Sequence, residues 1–479
     1  MDYPMSTPLT SRGTALAPQA ASVTALMVAL LASCFAFQLN ASMLSPALVT
    51  IEHELGATGA QVALTQTAFF TSAALTTLFL PRLGDLIGRR KVLVSMLIVM
   101  ALGCVIAALA TNIPMLLIGR VIQGASGPVV PMCLLMLRSQ VTEPKKYGTL
   151  LGVVTAVNGG IAGVDALAGG WLAGNFGFAS IFWVMGAVAL LAAIFVRFMA
   201  PESLGGTAGK MDWWGSALLV ISVGAALIMI NEIGNLAAAN WALVAILAVV
   251  TAVSFWLFWR LENRSAHPLV APAQLKHRST WALASTSLLT LAGVFAVMNG
   301  ILPALAQDTE VGLGLGAGEV AWWTLTPYAL AGLLMGPVSG RLAASFGYLR
   351  MLRIGLSLTV LGIVAMVFTV GSDIRVIILL LSIAIGISYA GIGNIMINGL
   401  GVVLSPKEAP GSLPGLNTGA INLGAGVSFA VIYAVQTAFS GGGTAAGYQA
   451  AMVAGAILLV GALLMSSLIP RPTNAEISR

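Results

Sequence analysis

Charge is what this sequence has least of. Only 22 of its 479 residues are Lys or Arg and only 16 are Asp or Glu, whereas 58% are hydrophobic and the mean hydropathy is +0.97. Charged residues make up about 25% of a typical soluble domain, so this composition excludes a soluble globular protein. It predicts an integral membrane protein. The net charge of +6 lies in short segments between apolar runs, so we expect no nucleic acid as a partner.

Cysteine and histidine are scarce as well, at three each. Cys34, Cys104 and Cys133 lie inside apolar runs without a Cys-x-x-Cys spacing, which predicts inert core thiols. The histidines fall in predicted loops and cannot assemble a hydrolytic triad or a metal cluster. No Gly-x-x-x-x-Gly-Lys-Ser/Thr nucleotide loop occurs. The sequence therefore predicts a protein that is not an enzyme, with no catalytic residues, no metal site and no cofactor.

Long apolar runs fill most of the chain. A helix needs about 20 apolar residues to cross a bilayer, and fourteen runs of this kind can be counted. They are residues 22–50, 61–80, 92–111, 114–137, 148–173, 179–199, 214–235, 241–259, 281–305, 320–339, 352–371, 374–403, 415–438 and 447–469. The sequence predicts an all-α integral membrane protein with fourteen transmembrane helices.

The cations alternate between the predicted loops. If both termini are cytoplasmic, 20 of the 22 Lys and Arg residues fall on the cytoplasmic side, which leaves Arg375 outside and Arg120 within a span. Basic residues collect on the cytoplasmic side of membrane proteins. We therefore expect a multi-pass protein of the bacterial inner membrane with both termini in the cytoplasm.

The segment 81–91 is the first place where charge is concentrated, and it has a weaker copy 259 positions later. Arg82, Leu83, Gly88 and Lys91 correspond to Arg341, Leu342, Gly347 and Arg350. This offset pairs span one with span nine, which indicates two pseudo-symmetric six-helix bundles with spans seven and eight inserted between them.

The repeat divides the chain into seven regions. They are a disordered cytoplasmic N-terminus (1–21), an N-terminal six-helix bundle (22–200), a cytoplasmic linker (201–213), a two-helix insert (214–260), a cytoplasmic loop (261–280), a C-terminal six-helix bundle (281–470) and a cytoplasmic tail (471–479).

Five motifs in chain order carry a family resemblance. Asp85-x-x-Gly88-Arg89-Arg90 resembles the loop signature of the major facilitator superfamily, and 120–127, Arg-x-x-Gln-Gly-x-Ser-Gly, resembles its fourth-helix motif. The stretches 212–215, 262–270 and 411–426 resemble the fourteen-helix drug:proton antiporter branch. The resemblance implies two bundles that rock around a midplane cavity and export small amphipathic or cationic compounds, such as drugs, in exchange for protons.

Two positions depart from the branch pattern. The branch carries an aspartate in span one where Asn40 stands here, and its fifth-helix motif Gly-Pro-x-x-Gly-Gly is Asp165-Ala-Leu-Ala-Gly-Gly170 in this chain. Both changes bear on proton-coupled export. An uptake symporter or facilitator of a small metabolite is therefore the alternative, and a non-transporting membrane sensor is a third hypothesis.

Charged side chains inside the predicted spans are the candidates for coupling. A charge at a helix centre costs about 2.5–3.5 kcal/mol on insertion scales, yet Arg120 and Asp165 lie at similar predicted depth. In one interpretation Asp165 is a proton or cation site tuned by Arg120. In the other, the two form a permanent buried ion pair that only fixes helix packing.

Asp85, Gly88, Arg89 and Arg90 are the candidate cytoplasmic gate. They either form a latch that holds the outward-facing state, with Glu143 as a candidate partner, or only orient the protein by positive charge.

Polar side chains within the spans are the candidates for lining the substrate cavity. They are Gln38, Asn40, Asn158, Asn299, Tyr328, Tyr389, Asn394 and Asn417. The expected partners are a small-molecule substrate, protons and the lipid bilayer, and we expect a monomer.

Overall fold

The computed structural model describes residues 23–141, 143, 146–147, 150, 153–154, 163–202, 212–234, 239–265, 276–372, 375–405 and 412–472. The predicted disordered N-terminus, Asn158, most of the linker and of the C-terminal tail, and half of the 261–280 loop lie outside these residues.

All regular structure in the described residues is helical, which confirms the all-α prediction. The first region contains α1 (Val23–Ser42), α2 (Leu48–Leu55), α3 (Gly59–Ile87), α4 (Arg89–Ala108), α5 (Ile113–Gln123), α6 (Val129–Gln140), α7 (Val164–Phe176) and α8 (Phe178–Met199). Two helices follow, α9 (Trp213–Gly234) and α10 (Trp241–Glu262). The last region contains α11 (Arg278–Ala296), α12 (Leu302–Gln307), α13 (Ala317–Trp323), α14 (Leu325–Phe346), α15 (Tyr348–Val367), α16 (Arg375–Ile385), α17 (Asn394–Val403), α18 (Ser412–Phe439) and α19 (Thr444–Ser466).

Twelve stretches of the described residues are long and apolar enough to cross a membrane. They coincide with twelve of the fourteen predicted spans. The other two are spans five and ten, where α7 has 13 residues and α14 has 22. Neither is among the twelve, and the residues before α7 lie largely outside the described part of the chain. Fourteen crossings therefore stays a prediction.

Several predicted spans are broken helices. In span one, α1 ends at Ser42 because Pro46 has no backbone N–H to donate the hydrogen bond that would continue the helix. A 3₁₀ turn that contains Pro46 then leads into α2. Two π-helical segments, Val297–Ile301 and Gly386–Gly393, interrupt spans nine and twelve. The predicted bounds of span ten, 320–339, are wrong at the start. The chain turns at Thr324, and the long helix begins at Leu325 and ends at Phe346.

The repeated loop signature has the same backbone in both copies. Gly88 joins α3 to α4 with φ +110°, and Gly347 joins α14 to α15 with φ +84°. Side-chain-bearing residues rarely adopt positive φ, which explains the glycine at both sites.

The two helices of the predicted insert lie at the side of the molecule. α9 packs on α10, α18 and α3, whereas Ser254, Phe258 and Glu262 are the buried side chains of α10. Its other described side chains are partly or fully exposed and mostly apolar, as expected of a surface in contact with lipid.

Two of the contacts between the bundles, both within the described residues, bear on the site. The first, which we call the central seam, is the packing of α18 on α3: a methyl group added to Gly426 would lie 3.3 Å from the Thr67 carbonyl oxygen. The second, which we call the distal contact, is at the end away from the 81–91 loop. There a methyl group on Gly170 of α7 would overlap with the carbonyl oxygen of Ala317 in α13.

Candidate functional site

The end of α1 brings together the polar residues of the first bundle. Asp165 lies in the first turn of α7, is 3% exposed, and accepts a hydrogen bond from the Ser42 hydroxyl. The same hydroxyl oxygen accepts a bond of 2.9 Å from Gln38 Nε2. The second carboxyl oxygen of Asp165 is buried and has no hydrogen-bond partner among the described residues. Gln38 and Asp165, both predicted site residues, are thus joined through Ser42, which sequence reasoning missed.

Arg120 is fully buried and surrounded by neutral acceptors. Its guanidinium donates to the Asn40 carbonyl oxygen at 3.3 Å, to Gln123 Oε1 at 2.6 Å and to Gln66 Oε1. Its Cζ lies 4.2 Å from the centre of the Phe69 ring, a cation–π contact. These groups bind the two terminal nitrogens of a cation that would otherwise be expensive to bury, whereas its Nε is buried without a hydrogen bond among the described residues.

The ion pair between Arg120 and Asp165, the second of the two interpretations, does not form among the described residues, whereas Asp85 pairs with Arg89 and Arg90 with Glu202. The two side chains reach α1 at different residues: Arg120 bonds the main chain of Asn40, and Asp165 bonds the side chain of Ser42. Equal depth along two helices does not fix the direction in which side chains point, so of the two interpretations the permanent buried ion pair is the one that the structure contradicts.

Asn40 packs between helices and is fully buried. Its amide donates to the Ala36 carbonyl oxygen at 3.0 Å, and its Oδ1 accepts from Cys104 Sγ at 3.5 Å. Asn417 of α18 is similar, because it accepts from Ser287 at 2.6 Å. Both side chains are buried and bonded to neighbouring helical residues.

The other cavity candidates of the second bundle lie at or beside its π-helical segments. Asn299 lies in the first segment, donates to Phe295 O at 3.0 Å, and accepts from Ser45 of the first bundle at 3.4 Å. Tyr389 lies in the second segment, and its ring is parallel within 10° to that of Tyr328, with the ring centres 6.5 Å apart. Asn394 follows this segment. π segments are frequent at functional sites, and no sequence pattern indicated them.

Aromatic rings cross between the bundles at the central seam. Phe70 of α3 contacts Phe295 at 4.9 Å and Phe429 at 6.4 Å between ring centres. The Arg120 guanidinium lies over the Phe69 ring, and the centres of the Phe69 and Phe70 rings are 4.9 Å apart. The cation of the first bundle is thereby connected through packed rings to the second bundle.

The candidate gate residues form a cluster within the first bundle. Arg89 pairs with Asp85 at 2.7 Å and donates to Leu135 O of α6 at 3.1 Å. Arg90 pairs with Glu202 at 3.4 Å, and its backbone nitrogen donates to the same carboxylate at 3.1 Å. The carboxylate of Glu202 also lies where a side chain on Gly88 would be.

Glu202, not the expected Glu143, is the partner of this cluster among the described residues. Glu202 follows α8, so the contacts tie α3, α4, α6 and the end of α8 together. Sequence reasoning assigned Glu202 to a linker and could not place it beside Arg90. Within the described part of the chain, no three His, Cys, Asp or Glu side chains come together as metal ligands.

Known proteins resemble this chain over almost its whole length. The family model described as Major Facilitator Superfamily matches residues 30–212 and 200–429. A uridine/deoxyuridine transporter of Lactococcus lactis is 54% identical over 463 residues, which cover 95% of this chain and 96% of that protein. The multidrug resistance protein Stp of Mycobacterium tuberculosis is 26% identical over 362 residues, covering 74% and 65%. The probable multidrug resistance protein EmrY of Escherichia coli is 27% identical over 323 residues, covering 66% and 60%.

Solved structures share the fold. The human organic anion transporter MFSD10 (TETRAN) superposes with a TM-score of 0.64 at 15% identity, covering 94% of this chain and all of that one. The nucleoside transporter NupG, solved as a point mutant, superposes with a TM-score of 0.62 at 12% identity, covering 93% and 100%. At these identities the likeness concerns the fold alone.

Proposed function

Because this chain belongs to the Major Facilitator Superfamily and is a multi-pass membrane transporter, we propose that it imports uridine and deoxyuridine. The observation that carries the proposal is the 54% identity, over 95% of the chain, to a uridine/deoxyuridine transporter. The drug-resistance relatives match at about half that identity over shorter stretches. The sequence alone favoured drug export with metabolite uptake as its alternative, and the alternative is now better supported.

The side chains of the candidate site are suited to binding a neutral polar substrate. Its side chains are amides and hydroxyls with aromatic rings beside them, and Asp165 is its one acid among the described residues. A nucleoside has no charge and many hydrogen-bonding groups, which amides and hydroxyls can complement. A cationic drug would gain most from carboxylates, and the span-one carboxylate of the antiporter branch is Asn40 here.

We further propose that uptake is coupled to protons through Asp165. An ionised carboxyl group buried without a cation is costly, and Asp165 has a hydroxyl as its partner and one unbonded oxygen. A proton on this carboxyl group removes the charge, so protonation can accompany the conformation in which Asp165 is enclosed. The coupling proton and the nucleoside would then travel in the same direction.

Purified protein in liposomes tests the proposal. We expect labelled uridine to accumulate when the interior is made alkaline, and the external medium to become alkaline when unlabelled uridine is added. Deoxyuridine should compete with labelled uridine. Accumulation of ethidium in exchange for protons, without any flux of uridine, would instead establish drug export. Uridine flux that equilibrates but never accumulates would establish a facilitator.

A further inference from the structure

We propose that Tyr328 and Tyr389 form the nucleobase subsite of the second bundle, and that Asn394 binds the polar edge of the stacked pyrimidine. The proposal rests on the proposed nucleoside transport and names the residues that recognise the base. Three independent features of the structure support it: the arrangement of the rings, their free hydroxyl groups, and their position between the bundles.

The two rings are held side by side by the backbone. A methyl group added to Gly386 would overlap with the Tyr328 carbonyl oxygen, so the absence of a side chain lets α14 and the π segment approach closely. The rings are then parallel within 10°, with centres 6.5 Å apart. Tyr328 is 8% exposed and Tyr389 is 5% exposed. A fixed, flat and largely dry aromatic surface suits a planar base, because every base has a π face that stacks on aromatic side chains.

The hydroxyl groups of both rings are unused. A buried tyrosine normally finds a hydrogen-bond partner, yet neither hydroxyl bonds another described residue, and neither is among the enclosed polar atoms, as the Tyr433 hydroxyl is. Two hydroxyls that can donate or accept therefore stand beside the aromatic surface. A nucleoside offers ring carbonyls and sugar hydroxyls that would satisfy them.

Asn394 adds an amide one turn away. It begins α17 immediately after the π segment, five residues beyond Tyr389, and is partly exposed. Its Oδ1 accepts from Asn398 Nδ2 at 3.0 Å, and its own amide nitrogen makes no hydrogen bond within the described residues. That nitrogen can donate to a carbonyl oxygen on the edge of uracil, the type of edge that proteins read with side-chain amides.

The subsite lies next to the first bundle. Two neighbours of Tyr328 on α14 face Gly163: Thr326 donates to the Gly163 carbonyl oxygen at 2.8 Å, and a methyl group on Gly163 would lie 2.8 Å from Ala329 Cβ. Gly163 precedes Asp165 by two residues. Ser388 bonds Thr359 of α15 at 3.0 Å, so the next residue, Tyr389, leaves the π segment in a different direction from the side chain that contacts α15. A base bound here would contact the second bundle close to the proposed proton site of the first.

Equilibrium binding of labelled uridine and dihydrouridine to the purified full-length protein tests this subsite. The dihydrouridine ring is saturated and not planar, so it stacks poorly, and the wild type should bind uridine more tightly. Tyr389→Leu or Tyr328→Leu should weaken uridine binding about 5- to 150-fold, the range for losing one base–aromatic stack, and bring the two affinities together. Tyr389→Phe keeps the stack and should keep the preference.

Tyr348→Leu is the matched control, because Tyr348 is partly buried beside Gly399, away from the ring pair, and it should leave both affinities within about twofold. Asn394→Leu, at a partly exposed position, should weaken uridine binding about 2- to 10-fold, the range for losing one hydrogen bond.

Two outcomes would overturn the subsite while nucleoside transport stands. One is a wild type that binds dihydrouridine as tightly as uridine, which requires no variant to fold. The other is an unchanged preference in leucine variants that elute as single species with the wild-type thermal midpoint. A wild type that binds no uridine at all would overturn both the subsite and the proposed function.

Discussion

Arg120 is a buried cation that the described part of the chain neutralises without a carboxylate. Two glutamine oxygens, one main-chain oxygen and the Phe69 ring surround it. Several partial negative charges can replace one full charge when each is hydrogen-bonded. Asn40 supplies the main-chain oxygen at the position where the antiporter branch carries its acid. The positive charge of this site is therefore fixed, and the exchangeable proton has to be sought elsewhere.

The first prediction concerns Asp165. Asp165→Asn keeps the shape of the side chain and removes its titration, so we expect uridine accumulation under a pH gradient to fall to the level of simple equilibration. Exchange of internal for external uridine needs no proton and should keep at least about a third of its rate. In the wild type, uptake should rise as the external pH falls, because the carboxyl group must be protonated on that side, and the variant should lose this dependence.

Ser42→Ala is the control for this variant, since it removes the hydroxyl that bonds Asp165 but leaves the carboxyl group to titrate. It should shift the pH profile without abolishing accumulation. Undiminished accumulation by Asp165→Asn would contradict the assignment and leave Asp165 as a packing residue.

At this scale the sequence was informative about which residues matter and uninformative about which residues they touch. Asp165 and Arg120 stand out because charges are rare within apolar runs. Their partners Ser42 and Gln66 are ordinary polar residues of spans one and two, and a linear pattern cannot give the rotation of one helix against another. Glu202 was missed as a partner for the same reason.

The helices were predictable from length and hydropathy, but their interruptions were not. The π segments at Asn299 and Tyr389 gave no signal in the sequence. A π turn contains about one more residue than an α turn, but the residues in it are as apolar as those of the helix around it. The break at Thr324 separates α14 from α13, which packs on α7 at the distal contact. These interruptions carry several of the candidate site residues.

A second prediction follows from the distal contact. Gly170→Ala places a methyl group on the Ala317 carbonyl oxygen, so the bundles cannot close there without a backbone shift. We expect uridine transport to slow at least about tenfold while the protein stays folded. Gly174→Ala is the matched control on the same helix, where the nearest atom would be 3.6 Å away, and its rate should stay within about twofold.

Initial rates of labelled uridine uptake, with thermal unfolding measured on the same preparations, check this prediction. Equal rates for the two alanine variants would show that closure of this contact does not limit transport.

A third prediction concerns the 81–91 joint. Glu202→Gln removes the partner of Arg90 and weakens the hydrogen bond to the Arg90 backbone. A partly buried ion pair of this kind stabilises by about 1 kcal/mol, so the thermal midpoint should fall by only roughly 1 °C, because the shift per kcal/mol becomes smaller as the chain becomes longer. Transport should slow, while equilibrium binding of uridine should change less than about threefold, because the joint lies far from Tyr389.

Glu143→Gln is the control at the same end of the bundle, since Glu143 is exposed and pairs with no cation among the described residues. It should leave stability and rate unchanged. A loss of uridine binding in Glu202→Gln as large as its loss of transport would refute a role in switching.

For the molecule as a whole, family and fold could be read from the sequence, because motif order and span lengths constrain them together. The substrate could not, since export and import use the same two bundles and the same rocking motion. The departures at Asn40 and Asp165 were the local sign that the antiporter interpretation was incomplete. The 54% identity to a uridine/deoxyuridine transporter then favoured the alternative.

The last prediction is the orientation of the whole chain. The distribution of 20 of the 22 cations predicts that the 81–91 joint and both termini lie in the cytoplasm. Ala57 and Gly441 lie in turns at the opposite end, so Ala57→Cys and Gly441→Cys should react with a membrane-impermeant thiol reagent added to intact cells. Lys91→Cys and Lys210→Cys should react only after the cells are permeabilised. Cys34, Cys104 and Cys133 are buried and should stay unreacted in the wild type. Labelling of Lys91→Cys or Lys210→Cys in intact cells would invert the topology, and with it the direction in which Asp165 and the nucleoside site are loaded.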